Sequence, residues 1–165
     1  MFQRRYTLLV IRNVPLQADL SWLLLLLLVM WSLTSGVFPS WYENLPLDDY
    51  WMMGMVGALG LLLSVLLHEI AHIQVAAFRK LTPTRVHLYI FGGIPEHDRD
   101  PESPGDEGWS ALAGPVLSLL LALGLWAVLR ATPAWPDSVR GVLTFLLYVN
   151  LLLGAANFLP AIPLD

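Results

Sequence analysis

Four apolar blocks, each long enough to cross a bilayer, leave this chain little choice of fold. They run from about Leu20 to Phe38, from about Trp51 to Phe78, from Trp109 to about Leu129 and from Val139 to about Leu164. A hydrocarbon core of about 30 Å is crossed by about 20 helical residues. Inside it, backbone polar groups must be satisfied within a helix or a closed barrel. Continuous apolar runs of this length predict helices rather than strands. Composition agrees, with 56% hydrophobic and 13% charged residues and a mean hydropathy of +0.62, against about 25% charged in soluble domains. The first block begins too far from the N-terminus for a signal peptide, and the following "TSGVFPSWY" lacks a small-x-small cleavage site, so it reads as a retained helix. Without cysteine there is neither a disulfide nor a thiolate metal site. A net charge of −4 with no basic stripe argues against a nucleic-acid partner. The expected class is an all-α integral membrane protein of about four spans, with the lipid bilayer as its first partner.

Basic residues orient the spans. Arg4, Arg5 and Arg12 precede the first, and Arg79, Lys80, Arg85 and Arg99 follow the second. The loop between spans one and two carries only Glu43, Asp48 and Asp49, and the loop between three and four little beyond Arg130, Asp137 and Arg140. The expected N-terminus is therefore cytoplasmic. Spans two and four then run in the same direction, and their C-terminal parts lie at similar depth.

Against this background three residues stand out in "LSVLLHEIAHIQVAAF": His68, Glu69 and His72. An ionised side chain near the centre of a membrane helix costs about 2.5–3.5 kcal/mol on insertion scales, so such groups require a partner or a metal. Positions i and i+4 share a helix face, which lets His68 and His72 bind one ion. Glu69 projects at an adjacent angle, suited to a water on that ion. This is the H-E-x-x-H arrangement of zinc metallohydrolases.

Two histidines leave a tetrahedral ion short of one protein ligand. Asp165 is the only carboxylate at the end of another apolar span, and that span runs parallel to span two; the acids from Glu96 to Glu107 read as a solvated loop. The sequence before it, "NFLPAIPL", breaks its own helix, because Pro160 and Pro163 each remove a donor and restrict the preceding residue. Unwound backbone at membrane depth is tolerated where it lines protein or a cavity. A helix end fraying at the surface would also account for the prolines.

Taken together, "HEIAH", "ALAGPVLSLLLA" and "NFLPAIPLD" resemble, in order and spacing, the site-2 protease family of intramembrane zinc metalloproteases, from about residue 50 onward. The stretch from Leu88 to Pro115 is similar to the branch whose members often carry CBS domains. The resemblance implies a zinc-dependent endopeptidase acting on a transmembrane protein substrate, in a bacterial or archaeal membrane, with its active site towards the cytoplasm. It implies His68, His72 and Asp165 as zinc ligands, Glu69 as the catalytic residue, and Asn157 as a group holding substrate or the developing oxyanion. It also implies a short re-entrant β-hairpin from Thr84 to about Glu96, where "TRVHLYIFGG" alternates partly and ends in a turn-forming Gly92-Gly93.

In the family, glycines and further helices follow the aspartate. Residues 1–165 are accordingly expected to be a single transmembrane core, without the later helices or any CBS domains. Homo-oligomers are compatible with such a core. Other readings stay open: a truncated or inactive homologue that binds membrane helices, or a zinc transporter. Ala111, Gly114 and Ser118 read as a packing face, with Gly114-Pro115 releasing a carbonyl nearby. His87 and His97, in or beside the hairpin, read as solvated histidines in preference to a second metal or regulatory site, and "PEHDRDPESPGDE" as a solvated acidic loop.

Overall fold

The computed structural model describes residues 5–79, 85–89, 92–96 and 104–158. In chain order these form β1 (Arg5–Ile11), β2 (Val14–Asp19), α1 (Leu20–Ser32), a π-helical turn (Leu33–Val37), α2 (Phe38–Trp41), α3 (Leu47–Phe78), β3 (Arg85–Tyr89), β4 (Gly92–Glu96), α4 (Pro104–Ala131) and α5 (Asp137–Phe158). Four helical stretches are long and apolar enough to span a membrane: Ser21–Trp41, Leu47–Phe78, Gly108–Ala131 and Asp137–Asn157. The chain is an integral membrane protein, and all four expected spans are present. The first span joins α1, the π turn and α2. Its widened turn, in which the Phe38 amide bonds the Leu33 carbonyl, falls where Pro39 removes the amide that the Ser35 carbonyl would otherwise receive. The fourth helix ends at Phe158, two residues ahead of Pro160. The expected extended segment, and Asp165 itself, lie outside the described residues.

The central helix is α3, of 32 residues and so about 48 Å long. It begins four residues before the expected Trp51, with Asp48 and Asp49 in its first turn, where carboxylates suit the positive end of the helix. Glycines set how closely its neighbours approach. A Cβ on Gly57 would meet Leu33 and Phe145, one on Gly60 would meet Leu146, and one on Gly141 would meet Met53. Ser64 pairs with Asn150 in the same progression, the Asn150 amide donating to the serine hydroxyl at 2.9 Å. The partner numbers rise together, so α3 and α5 run in the same direction, as the charge pattern predicts. Without a hydrophobic drive between helices in lipid, such small-residue contacts and buried hydrogen bonds supply the association.

Gly54 is the tightest of these approaches to α1 and the π turn: a Cβ there would overlap the Thr34 hydroxyl oxygen and lie 2.9 Å from the Met30 carbonyl. The hydroxyl can rotate away, but the carbonyl belongs to a helix backbone. Gly54→Ala is therefore expected to destabilise the bundle by about 1–3 kcal/mol, the usual range for overpacking. Reversible unfolding in mixed detergent micelles measures it; an unchanged midpoint would mean that the first span shifts without cost.

The hairpin expected over residues 84–96 is present as antiparallel β3 and β4, with His87 opposite Ile94. It does not stand alone. The N-terminal segment, expected only as a basic flank, folds as a second hairpin, and β2 pairs with β3 in parallel to give the sheet order β1-β2-β3-β4. A two-residue turn joins Ile11 to Val14, with Arg12 at φ 48° and Asn13 at φ 66°, the left-handed pair that a tight hairpin requires. Val14, Leu16 and Ala18 of β2 and Val86 of β3 share a buried cluster with Val65 and Ile73 of α3. The sheet thus packs on the stretch of α3 that brackets the H-E-x-x-H residues.

Candidate active site

The HEIAH turn of α3 is buried from two sides. Ser64 and His68 lie on a face towards α4 and α5. Val65, Glu69 and Ile73 form an adjacent buried stripe, whose apolar members meet the sheet. His68 is 1% exposed and Glu69 3%. Their ligand atoms and that of His72 all lie within 4.8 Å of one another, the one such cluster of three or more among the described residues.

Helix α4 runs antiparallel to α3 here and fixes both imidazoles. His72 Nδ1 lies 2.8 Å from the Ser110 carbonyl, and His68 Nδ1 lies 2.8 Å from the Ser118 hydroxyl. A carbonyl only accepts, so His72 carries its proton on Nδ1 and presents an Nε2 lone pair. Between the two contacts Gly114 brings the α4 backbone against the rings: a Cβ there would lie 2.6 Å from His68 Nε2 and closer still to His72 Nε2. The register is Ser110, Gly114, Ser118 on α4 against His72 and His68 on α3. The carbonyl that serves the site belongs to Ser110, one residue before the Ala111 carbonyl that Pro115 leaves without its helical amide.

These contacts turn both Nε2 atoms towards one point, and they stand 3.1 Å apart. Two lone pairs at that distance repel unless a proton or a cation lies between them. Tetrahedral zinc with ligand bonds of about 2.0–2.1 Å separates neighbouring nitrogens by about 3.3 Å. The pair fits that requirement closely, its far nitrogens are occupied by partners as metal-binding histidines require, and Gly114 leaves the volume clear. Neutral imidazoles beside a carboxylate suit zinc chemically as well. The donor set therefore fits such an ion, which His68 and His72 would hold from α3.

Asn157 stands in the last turn of α5, exposed, with its amide donating to the Leu153 carbonyl at 2.8 Å. From the Ser64–Asn150 pair, an equal advance along parallel α3 and α5 brings Asn157 level with Ala71, beside His72. Its depth matches the site; its side chain is turned back on its own helix. His87 lies in β3, and His97 is outside the described residues. The Ser118 and Ser110 partnerships were not anticipated. Their only trace in the sequence is a recurrence of small residues on span three, which packing alone would also produce.

A buried H-E-x-x-H pair held by a second membrane helix defines a class, the membrane-embedded metal-site proteins. Comparison with known proteins narrows it. No protein-family profile matches the chain. Rip3 of Mycobacterium tuberculosis, named as a zinc metalloprotease, is 38% identical over 147 residues, covering 88% of this chain and 37% of that protein. The Synechocystis protein sll0528, also named as a zinc metalloprotease, is 32% identical over 153 residues, 93% of this chain and 40% of its own length. The structure of the site-2 protease from Methanocaldococcus jannaschii superposes with a TM-score of 0.67 at 25% identity, covering 97% of this chain and 67% of that one. The chain belongs to the site-2 protease family. It spans about two fifths of the length of the curated relatives named here.

Proposed function

We propose that this chain is the catalytic core of a zinc-dependent intramembrane endopeptidase that hydrolyses a peptide bond in or near a transmembrane segment of a membrane-protein substrate. The observation that carries the reading is the convergence of His68 and His72 Nε2 at 3.1 Å, with buried Glu69 beside them and the bundle around them. In this reading Asp165 completes the ligand set from the sequence that follows α5, and Asn157 holds the substrate carbonyl. The N-terminus is cytoplasmic and the site opens on that side of a bacterial or archaeal membrane. Anchoring of both rings through Nδ1 suits a resident ion better than a transported one, which favours hydrolysis over transport.

Bound at this site, zinc supplies an activated water and a Lewis acid for the scissile carbonyl. Glu69 takes the proton of the attacking water and returns it to the leaving nitrogen. Its place on the adjacent stripe, rather than on the histidine face, gives it that role. Asn157, once released from the Leu153 carbonyl, offers an amide donor to the developing oxyanion. A peptide bond within an intact helix is shielded by its own hydrogen bonding, so the substrate must unwind before it reacts. The edge strand β4 offers backbone groups to the unwound segment.

Zinc stoichiometry on the purified chain tests the ligand set. Wild type is expected to bind one zinc per chain, with near-complete loss in His68→Ala and in Asp165→Ala. Full zinc affinity in Asp165→Ala would remove that residue from the ligand set; no zinc in wild type would remove the metalloenzyme reading from this chain.

A further inference from the structure

We propose that Ser118 is a positioning residue for the metal site: its hydroxyl holds the aim of the His68 ring in either tautomer, and through that aim sets the zinc affinity. The inference rests on the metal-site reading above and assigns a role to a residue outside the ligand set. Ser118 is 0% exposed, and its Oγ lies 2.8 Å from His68 Nδ1. Ligation through Nε2 requires the proton on Nδ1, and in that form the imidazole donates to the serine oxygen. A hydroxyl can also donate. While no ion is bound, His68 can therefore hold its proton on Nε2, donate it to the His72 nitrogen 3.1 Å away, and accept the serine proton at Nδ1. The same contact thus serves both tautomers, which the fixed carbonyl acceptor on His72 cannot do. His68 is prepared for metal by a group that does not strand a buried nitrogen when the metal is absent.

The alternative is that Ser118 merely fills space between α3 and α4, and size separates the two. The test is zinc affinity of the full chain in detergent, measured by competition with a chromogenic chelator, for wild type, Ser118→Ala and Ser118→Thr; cobalt absorption spectra supply a second readout of ligand geometry. Removing the outer partner of a metal-binding histidine typically costs about 10–100-fold in affinity. Ser118→Ala is expected to fall in that range with an altered cobalt spectrum, and Ser118→Thr, which keeps the hydroxyl, to recover most of the affinity. Affinity in Ser118→Ala within about threefold of wild type overturns the proposal, as does equal loss in both variants. If His68→Ala loses zinc while Ser118→Ala does not, the metal site stands and only the role of Ser118 falls. Absence of zinc from wild type overturns both.

Discussion

Glu69→Gln is expected to keep its zinc and lose its cleavage. The carboxamide preserves the size of the side chain and can still hydrogen-bond, so the buried stripe of Val65, Glu69 and Ile73 should pack unchanged. It cannot take up a proton, which is the one property the proposed chemistry needs. General-base catalysis contributes about 100- to 10,000-fold, and loss of cleavage of a reporter transmembrane substrate in that range is expected, with zinc stoichiometry at the wild-type level. The two measurements together distinguish roles. Loss of metal along with activity would make Glu69 a ligand, as the 4.8 Å cluster of ligand atoms also permits geometrically. Wild-type cleavage by Glu69→Gln would remove Glu69 as the general base, the role that no other carboxylate of the metal cluster could fill among the described residues.

Different parts of this structure were legible for different physical reasons. The spans were plain because burial in lipid demands long uninterrupted apolar runs, and the His68–His72 pairing because a single helix fixes the spacing of i and i+4. The hairpin at β3 and β4 was visible through its partial alternation and its glycines, although Gly92 and Gly93 pair with Tyr89 and Leu88 as part of β4 and are not the turn itself. The N-terminal hairpin was hidden: Arg5 and Arg12 carry the orienting charge of a membrane flank, and a turn formed by Arg12 and Asn13 lacks the glycine that usually marks a left-handed pair. Its reason for folding lies elsewhere in the chain, in the apolar side of β2 that covers Val65 and Ile73. The partners of the histidines were hidden for a related reason. Ser110 and Ser118 are unremarkable small residues until the crossing of α3 and α4 sets them against His72 and His68, and no local pattern encodes that register. Asp165 was singled out from its place at the end of a parallel span; the parallel course of α3 and α5 is present, and Asp165 itself lies outside the described residues.

The second large effect is expected at Gly114, where the loss of function should far exceed the loss of stability. Replacing a helical glycine by alanine ordinarily stabilises a helix by about 1 kcal/mol, and α4 continues for several turns on either side of this position. The methyl group, however, would lie 2.6 Å from His68 Nε2 and nearer still to His72 Nε2, both inside contact distance and both on the atoms that would face the ion. Rotating the rings aside would break their contacts with the Ser110 carbonyl and the Ser118 hydroxyl, which hold them in place. Metal ligands tolerate displacements of only about 0.2 Å, far less than the methyl group requires. Gly114→Ala is therefore expected to lose zinc affinity by about 100-fold or more. The helix gain of about 1 kcal/mol offsets part of the roughly 1–3 kcal/mol that displaced, unpaired rings cost, so the bundle is expected to unfold only a little below the wild-type temperature. Separation of α4 from α3 to make room would instead show as a stability loss well beyond that range. Wild-type affinity in a stable Gly114→Ala would show that the close approach of α4 is not what shapes the site. The glycine beside Pro115, which the sequence offers as a packing residue, is then the position where helix packing and metal chemistry make the same demand: backbone, and nothing more, between two imidazoles.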